Sequence, residues 1–240
     1  MSDEEKIPHL PAGRIFYESL AYVGDNPLAV LMFSVINYMF LVAGVSVWAT
    51  GLFWPLVLGY YLFWSYFFRF YFQKKPYLQL KPLLNSLMPS SKILVIGVSV
   101  FAVITFLPFI PLLLVYLGVE IDIGKLAAVQ RELLESPWVN LGFVLLFTLL
   151  VPQIFFRPFM AWISALLGRN RTLKFAWSRT RNNYLPLLII ALIMNLAGLL
   201  ADEFGRFNEA ADIFSLLLLS TLMVYFNIVI AQIYTFFFEN

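Results

Sequence analysis

Long apolar runs alternate with short polar segments along the whole chain. The runs are Pro27–Thr50, Leu52–Phe72, Ile93–Leu117, Val139–Phe156, Tyr184–Leu200 and Ile213–Phe238, and no Asp or Glu interrupts any of them. About 20 apolar residues in a helix cover the roughly 30 Å of a bilayer's hydrocarbon core. The runs are continuous rather than alternating, so helices are predicted over barrel strands. Pro27 suits the first turn of a helix, where its missing N–H costs nothing. Gly51 stands between the first two runs, and so short a connection allows only an antiparallel hairpin.

A mixed basic and apolar stretch precedes each pair of runs: Arg14–Asn26, Tyr77–Lys92 and Gly168–Asn183. That mixture is typical of helices lying in a membrane interface. Asp25-Asn26-Pro27-Leu28 and Asn182-Asn183-Tyr184-Leu185-Pro186 end two of these stretches in similar ways. The expected fold is all-α: six transmembrane helices in three hairpins, each hairpin preceded by a cytoplasmic amphipathic helix. Residues 1–26 form a tail and interfacial helix, and 27–240 a single membrane domain. Two courses stay open for Pro158–Leu167. The fourth helix continues through it after bending at Pro152 and Pro158, or the segment lies along the interface.

Lys and Arg placement sets the orientation. Of the 16 Lys and Arg residues, all but Lys125, Arg131 and Arg206 lie on one side of this topology. That puts both termini in the cytoplasm. The segments 118–138 and 201–212 then face outward, and they are acidic (Glu120, Asp122, Glu132, Glu135, Asp202, Glu203, Glu209, Asp212). Residues 1–26 hold no apolar signal-peptide core, so the first run is expected to direct insertion.

Composition narrows the chemistry. Hydrophobic residues are 61% and charged residues 12%, far from the balance of a water-soluble domain. There is no Cys, and the single His, His9, sits in the polar tail. That leaves no thiolate, no disulfide and no paired histidine ligands. Neither a phosphate loop nor a nucleophile elbow is present, so no catalytic residue, cofactor site or metal site is assigned. A net charge of +2 gives no argument for nucleic acid.

Polar groups inside the runs are Asn37, Asn195, Asn227 and Gln232. An amide in hydrocarbon needs a partner, so these are expected to face the bundle, through interhelical hydrogen bonds or along a substrate path. Pro55, Gly59, Pro108, Pro111 and Pro152 are candidate helix breaks. No acidic residue occupies mid-membrane, which argues against a proton- or cation-coupled transporter. Arg69 lies among the rings of the second run and is expected at the cytoplasmic interface. Arg157, Arg169, Arg171, Lys174, Arg179 and Arg181 would form a basic surface there. All seven are candidates for phospholipid headgroups.

Leu173-Lys-Phe-Ala-Trp-Ser-Arg-Thr-Arg-Asn-Asn-Tyr-Leu-Pro-Leu-Leu188 resembles the segment before a span in the YciC-like bacterial inner-membrane family. That family is similar to the membrane domain of some glycerophosphodiester phosphodiesterases. Ile15–Leu41, Leu80–Phe106 and Ala211–Phe238 follow the same pattern of amphipathic helix, then span. The resemblance implies a six-helix protein of the bacterial cytoplasmic membrane, and it carries over no catalytic residues.

The reading that follows is a non-enzymatic membrane protein that binds phospholipid or supports envelope homeostasis. A transporter or lipid flippase with a path between hairpins is one alternative. An accessory or scaffold subunit, pairing with a second copy or a larger membrane complex, is the other.

Overall fold

The structure, a computed structural model, describes residues 9–47, 52–73, 81–87, 156–169, 172–205 and 209–239. Among the described residues every regular element is a helix. They are α1 (Ala12–Asp25), α2 (Pro27–Val47), α3 (Phe53–Gln73), α4 (81–87), α5 (Arg157–Leu166), α6 (Leu173–Thr180), α7 (Tyr184–Gly205) and α8 (Glu209–Phe238).

Three of them are long and apolar enough to cross a membrane: Pro27–Gly44 within α2, Tyr184–Ala201 within α7 and Ile213–Phe238 within α8. The helix α3 matches α2 at 21 residues. Its Tyr and Trp rings and Arg69 lower its hydropathy, so it is not one of the three. The third and fourth expected spans, 93–117 and 139–156, lie outside the described residues apart from Phe156.

Helix starts follow from local chemistry. Asn26 separates α1 from α2: its backbone N–H and its Nδ2 both donate to the Tyr22 carbonyl at 3.0 Å, while its own carbonyl accepts from Val30. Pro27, which has no N–H to leave unpaired, then opens α2. Asn183 separates α6 from α7 in a similar manner. Its N–H donates to the Thr180 carbonyl at 3.1 Å, and its carbonyl accepts from Leu187 at 3.2 Å. The two Asn-containing endings seen in the sequence are thus both junctions between a short helix and a long one.

The long helices pack as antiparallel neighbours. In α2 and α3, Phe33 meets Phe67 at 5.0 Å and Phe70 at 5.7 Å, while Phe40 meets Tyr60 at 5.5 Å and Phe63 at 5.7 Å. Gly59 permits that approach, because a Cβ there would stand 3.2 Å from the Phe40 ring. In α7 and α8, Phe204 meets Phe214 at 5.7 Å, where the end of α7 lies beside the start of α8. Along α8, Val224, Ile228, Val229, Ile233 and Tyr234 are fully buried, so α8 forms the centre that α1, α2 and α7 surround.

Large apolar residues also face outward. Leu28, Leu31, Met32, Val35, Met39 and Val42 are exposed along α2, and Leu185, Ile189, Ile193, Leu196 and Leu200 along α7. Stripes of this extent are a liability in water and a match for acyl chains.

Arg157–Leu166 is helical, α5, and almost every side chain in it is buried; whether it continues the fourth expected span lies outside the described residues. It ends at Gly168, whose φ is +77°. There the Gly168 N–H donates to Ala165 at 3.0 Å and the Arg169 N–H donates to Ser164 at 2.9 Å. This is the Schellman arrangement, and glycine is the residue that takes its left-handed position without strain. The chain then reverses, and α6 packs back against α5. Thr172 caps α6, its Oγ1 accepting from the Phe175 N–H at 3.3 Å.

Candidate functional site

One end of the bundle collects the short helices α1, α5 and α6 and most of the described cations. The Leu10 N–H donates to Asn183 Oδ1 at 2.6 Å, tying the approach to α1 to the start of α7. Tyr22 of α1 meets Tyr71 of α3 at 4.6 Å, and Phe72 meets Tyr234 of α8 at 5.2 Å. Phe175 of α6 meets Phe238 at 5.7 Å, and Arg169 pairs with Glu239 at 2.7 Å. The start of α7 and the ends of α3 and α8 therefore share this end with α1, α5 and α6. Burial against Tyr71 pushes the Tyr22 phenol above its ordinary pKa.

The helix α6 has two unlike sides. Ala176 and Thr180 are buried. Lys174, Trp177, Ser178 and Arg181 recur at helical spacing on the exposed side, with Trp177 48% exposed. A cation thus stands one turn before the indole and another one turn after it. Arg179, at the flank, lies over the Phe175 ring at 5.6 Å. Arg169 is exposed beside Glu239, and Arg171 lies outside the described residues.

Two of the seven arginine and lysine candidates are placed differently from the expectation of an exposed headgroup site. Arg69 is 2% exposed and Arg157 is 3% exposed. Arg69 donates from Nη1 to the Leu166 carbonyl at 2.9 Å and from Nη2 to Gln73 Oε1 at 2.9 Å. The Leu166 carbonyl belongs to the last turn of α5, where unpaired carbonyls carry the negative end of the helix dipole. The interior of the bundle therefore supplies the partner that the interface was expected to supply.

Arg157 has poorer company. Its Nε donates to Thr180 Oγ1 at 3.0 Å, and its guanidinium carbon lies 3.7 Å from the centre of the Trp177 ring. Its Nη1 has no hydrogen-bond partner. Burial pushes its pKa below the ordinary arginine value. Nothing in the sequence alone pairs Arg157 with Trp177, although the spacing of Lys174, Trp177 and Arg181 already sets an indole between two cations.

The candidate amides lie on α2, α7 and α8. Asn37 is fully buried, and its Nδ2 donates to Ser220 Oγ at 3.1 Å, to the Ser220 carbonyl at 3.3 Å and to Met223 Sδ at 3.7 Å. Ser220 in turn donates to the Ser34 carbonyl at 2.5 Å, so these groups join α2 to α8. Asn227 is half-buried and donates to the Met223 carbonyl of its own helix at 2.7 Å. Asn195 on α7 and Gln232 on α8 are half-buried. Ser34 and Ser220, which complete the buried contact, are small hydroxyl residues that hydropathy does not single out.

Among the described residues the protein is all-helical, with three helices fit to cross a membrane. Neither a protein-family model, nor a curated protein, nor a solved structure matches the chain.

Proposed function

We propose that this chain is a non-enzymatic integral membrane protein that binds anionic phospholipid through the short basic helices at one end of its bundle. The observation that carries the reading is the exposed side of α6, where Lys174 and Arg181 flank the exposed Trp177. Each Lys or Arg near an anionic surface contributes about 1 kcal/mol of attraction to it. In this reading the basic end faces the cytoplasm, both termini lie there, and the chain crosses six times in three hairpins. The YciC-like pattern over Leu173–Leu188 accords with a place in a bacterial inner membrane.

Native mass spectrometry of the purified full chain tests it. Wild type should retain anionic lipid over phosphatidylcholine. Lys174→Gln with Arg181→Gln should weaken retention by about 2 kcal/mol, roughly thirtyfold, at low salt. Retention of no anionic lipid, or no change in the double variant, would end the proposal.

A second reading, a polar path between helices, draws on Asn37 Oδ1 and Ser34 Oγ, which are buried without partners between α2 and α8. A cysteine placed at position 37 should label with a water-soluble reagent if that path is wet. Complete protection removes this reading.

A further inference from the structure

The two buried arginines differ in what holds them. Arg69 is met by a helix C-terminal carbonyl and a Gln amide, both natural hosts for a cation. Arg157 is met by a hydroxyl and the face of an indole. Arg14 pairs with Glu18 and Arg169 with Glu239, and neither pair involves Arg157. A guanidinium offers five donors in a planar fork suited to phosphate. Here Nε is used by Thr180, Nη1 is unpartnered, and the guanidinium carbon stands 3.7 Å over the centre of the Trp177 ring.

The group that covers Arg157 is itself half in solvent. Trp177 belongs to the exposed side of α6, between Lys174 and Arg181. A cation–π contact is weaker than a charge-assisted bidentate bond between arginine and phosphate. Side chains this exposed change rotamer readily. If the indole swings outward, one guanidinium opens between two further cations.

We propose that Arg157 is the seat for a phosphate group and that Trp177 is the lid over it. The site rests on the lipid-binding reading above and narrows it to a chemical class. Three cations around one position favour a phosphomonoester, with its second negative charge, over a phosphodiester. The phosphate arrives on a lipid headgroup or as a soluble anion. In either case it accepts in the guanidinium plane at the Nη edge, beside the face that the indole covered, and leaves Thr180 bonded to Nε.

The test uses the full chain in mild detergent, titrated with phosphatidic acid, phosphatidylglycerol and phosphatidylcholine and read by native mass spectrometry. Wild type should prefer phosphatidic acid to phosphatidylglycerol. Trp177→Ala removes the lid and should tighten phosphatidic acid binding several-fold. Arg157→Gln removes one of the three charges and should lower the preference for the monoester about fivefold. Inorganic phosphate that displaces phosphatidic acid at equal concentration assigns the seat to soluble phosphate, whereas lipid binding that resists it assigns the seat to the headgroup.

Weaker binding in Trp177→Ala marks the indole as a plain interfacial anchor and overturns the lid. A monoester preference left unchanged in Arg157→Gln overturns the seat. Trp177 is exposed, so its variant keeps the test decisive even if Arg157 variants fold poorly. Wild type that binds no anionic lipid defeats the broader functional reading instead. Wild type that binds anionic lipid with no monoester preference defeats the seat alone.

Discussion

Arg69 on α3 donates at 2.9 Å to the carbonyl of Leu166, in the last turn of α5. A fully enclosed cation is thereby set against a helix C-terminus rather than a carboxylate. The dipole contributes only partial negative charge there. Desolvating a guanidinium costs several kcal/mol even after relaxation. The Arg69–Leu166 bond therefore orients α5 on α3 without adding much net stability.

Replacing Arg69 with Met strands the Leu166 carbonyl and Gln73, at a cost of about 1–3 kcal/mol. It also relieves the burial of a charge, which offsets that loss. Arg69→Met should keep the unfolding free energy within about 1 kcal/mol of wild type, as read by steric trapping in bicelles. A loss above about 3 kcal/mol would show that the cation is a net stabiliser.

Asn37 and Ser220 supply the polar contact between α2 and α8 at 3.1 Å. Such bonds average about 0.6 kcal/mol in membrane bundles and reach about 1.7, because the unfolded state in lipid also finds partners. A cycle of Asn37→Ala and Ser220→Ala should give a coupling energy in that range. Zero coupling would make the contact incidental to the packing.

Gly168 turns α5 into α6 at a φ of +77°, with open space where a Cβ would stand. Gly168→Ala therefore costs backbone strain alone, about 1–2 kcal/mol, while Gly168→Asn costs less. The comparison is made by denaturation of the two variants side by side. Equal stability of the Ala and Asn forms would mean that the turn relaxes.

Tyr22 carries a phenol whose pKa burial raises above 10.0. Above pH 10 the unfolded chain releases this proton while the folded chain still holds it. The folded state then binds more protons, so stability falls as pH rises. Tyr22→Phe should flatten the loss of thermal stability between about pH 9 and pH 11 relative to wild type. Identical pH profiles would contradict the assignment.

Much of the fold is legible along the chain. The apolar runs beginning at Pro27, Tyr184 and Ile213 are long helices, and Asn26 and Asn183 mark where short helices meet them. These features are local: hydropathy, a missing N–H and side-chain capping act over a few residues. The cations of α6 can be read in the same way, since helical spacing places Lys174, Trp177 and Arg181 on one side.

What each polar group touches is not local. Snorkelling predicts an interfacial Arg69, yet the end of α5 lies against α3 and encloses it. Hydropathy marks Asn37 as polar but cannot name Ser34 and Ser220, which are distant in sequence and ordinary in composition. Arg157 reads as one more basic residue until the turn at Gly168 folds α6 back and lays Trp177 over it. Sequence alone determined that the runs from Pro27, Tyr184 and Ile213 are helical and which of their residues share a helix face, because those depend on neighbours along the chain. Only the tertiary structure decided which cations are exposed and which are enclosed, because burial depends on the helices that come together.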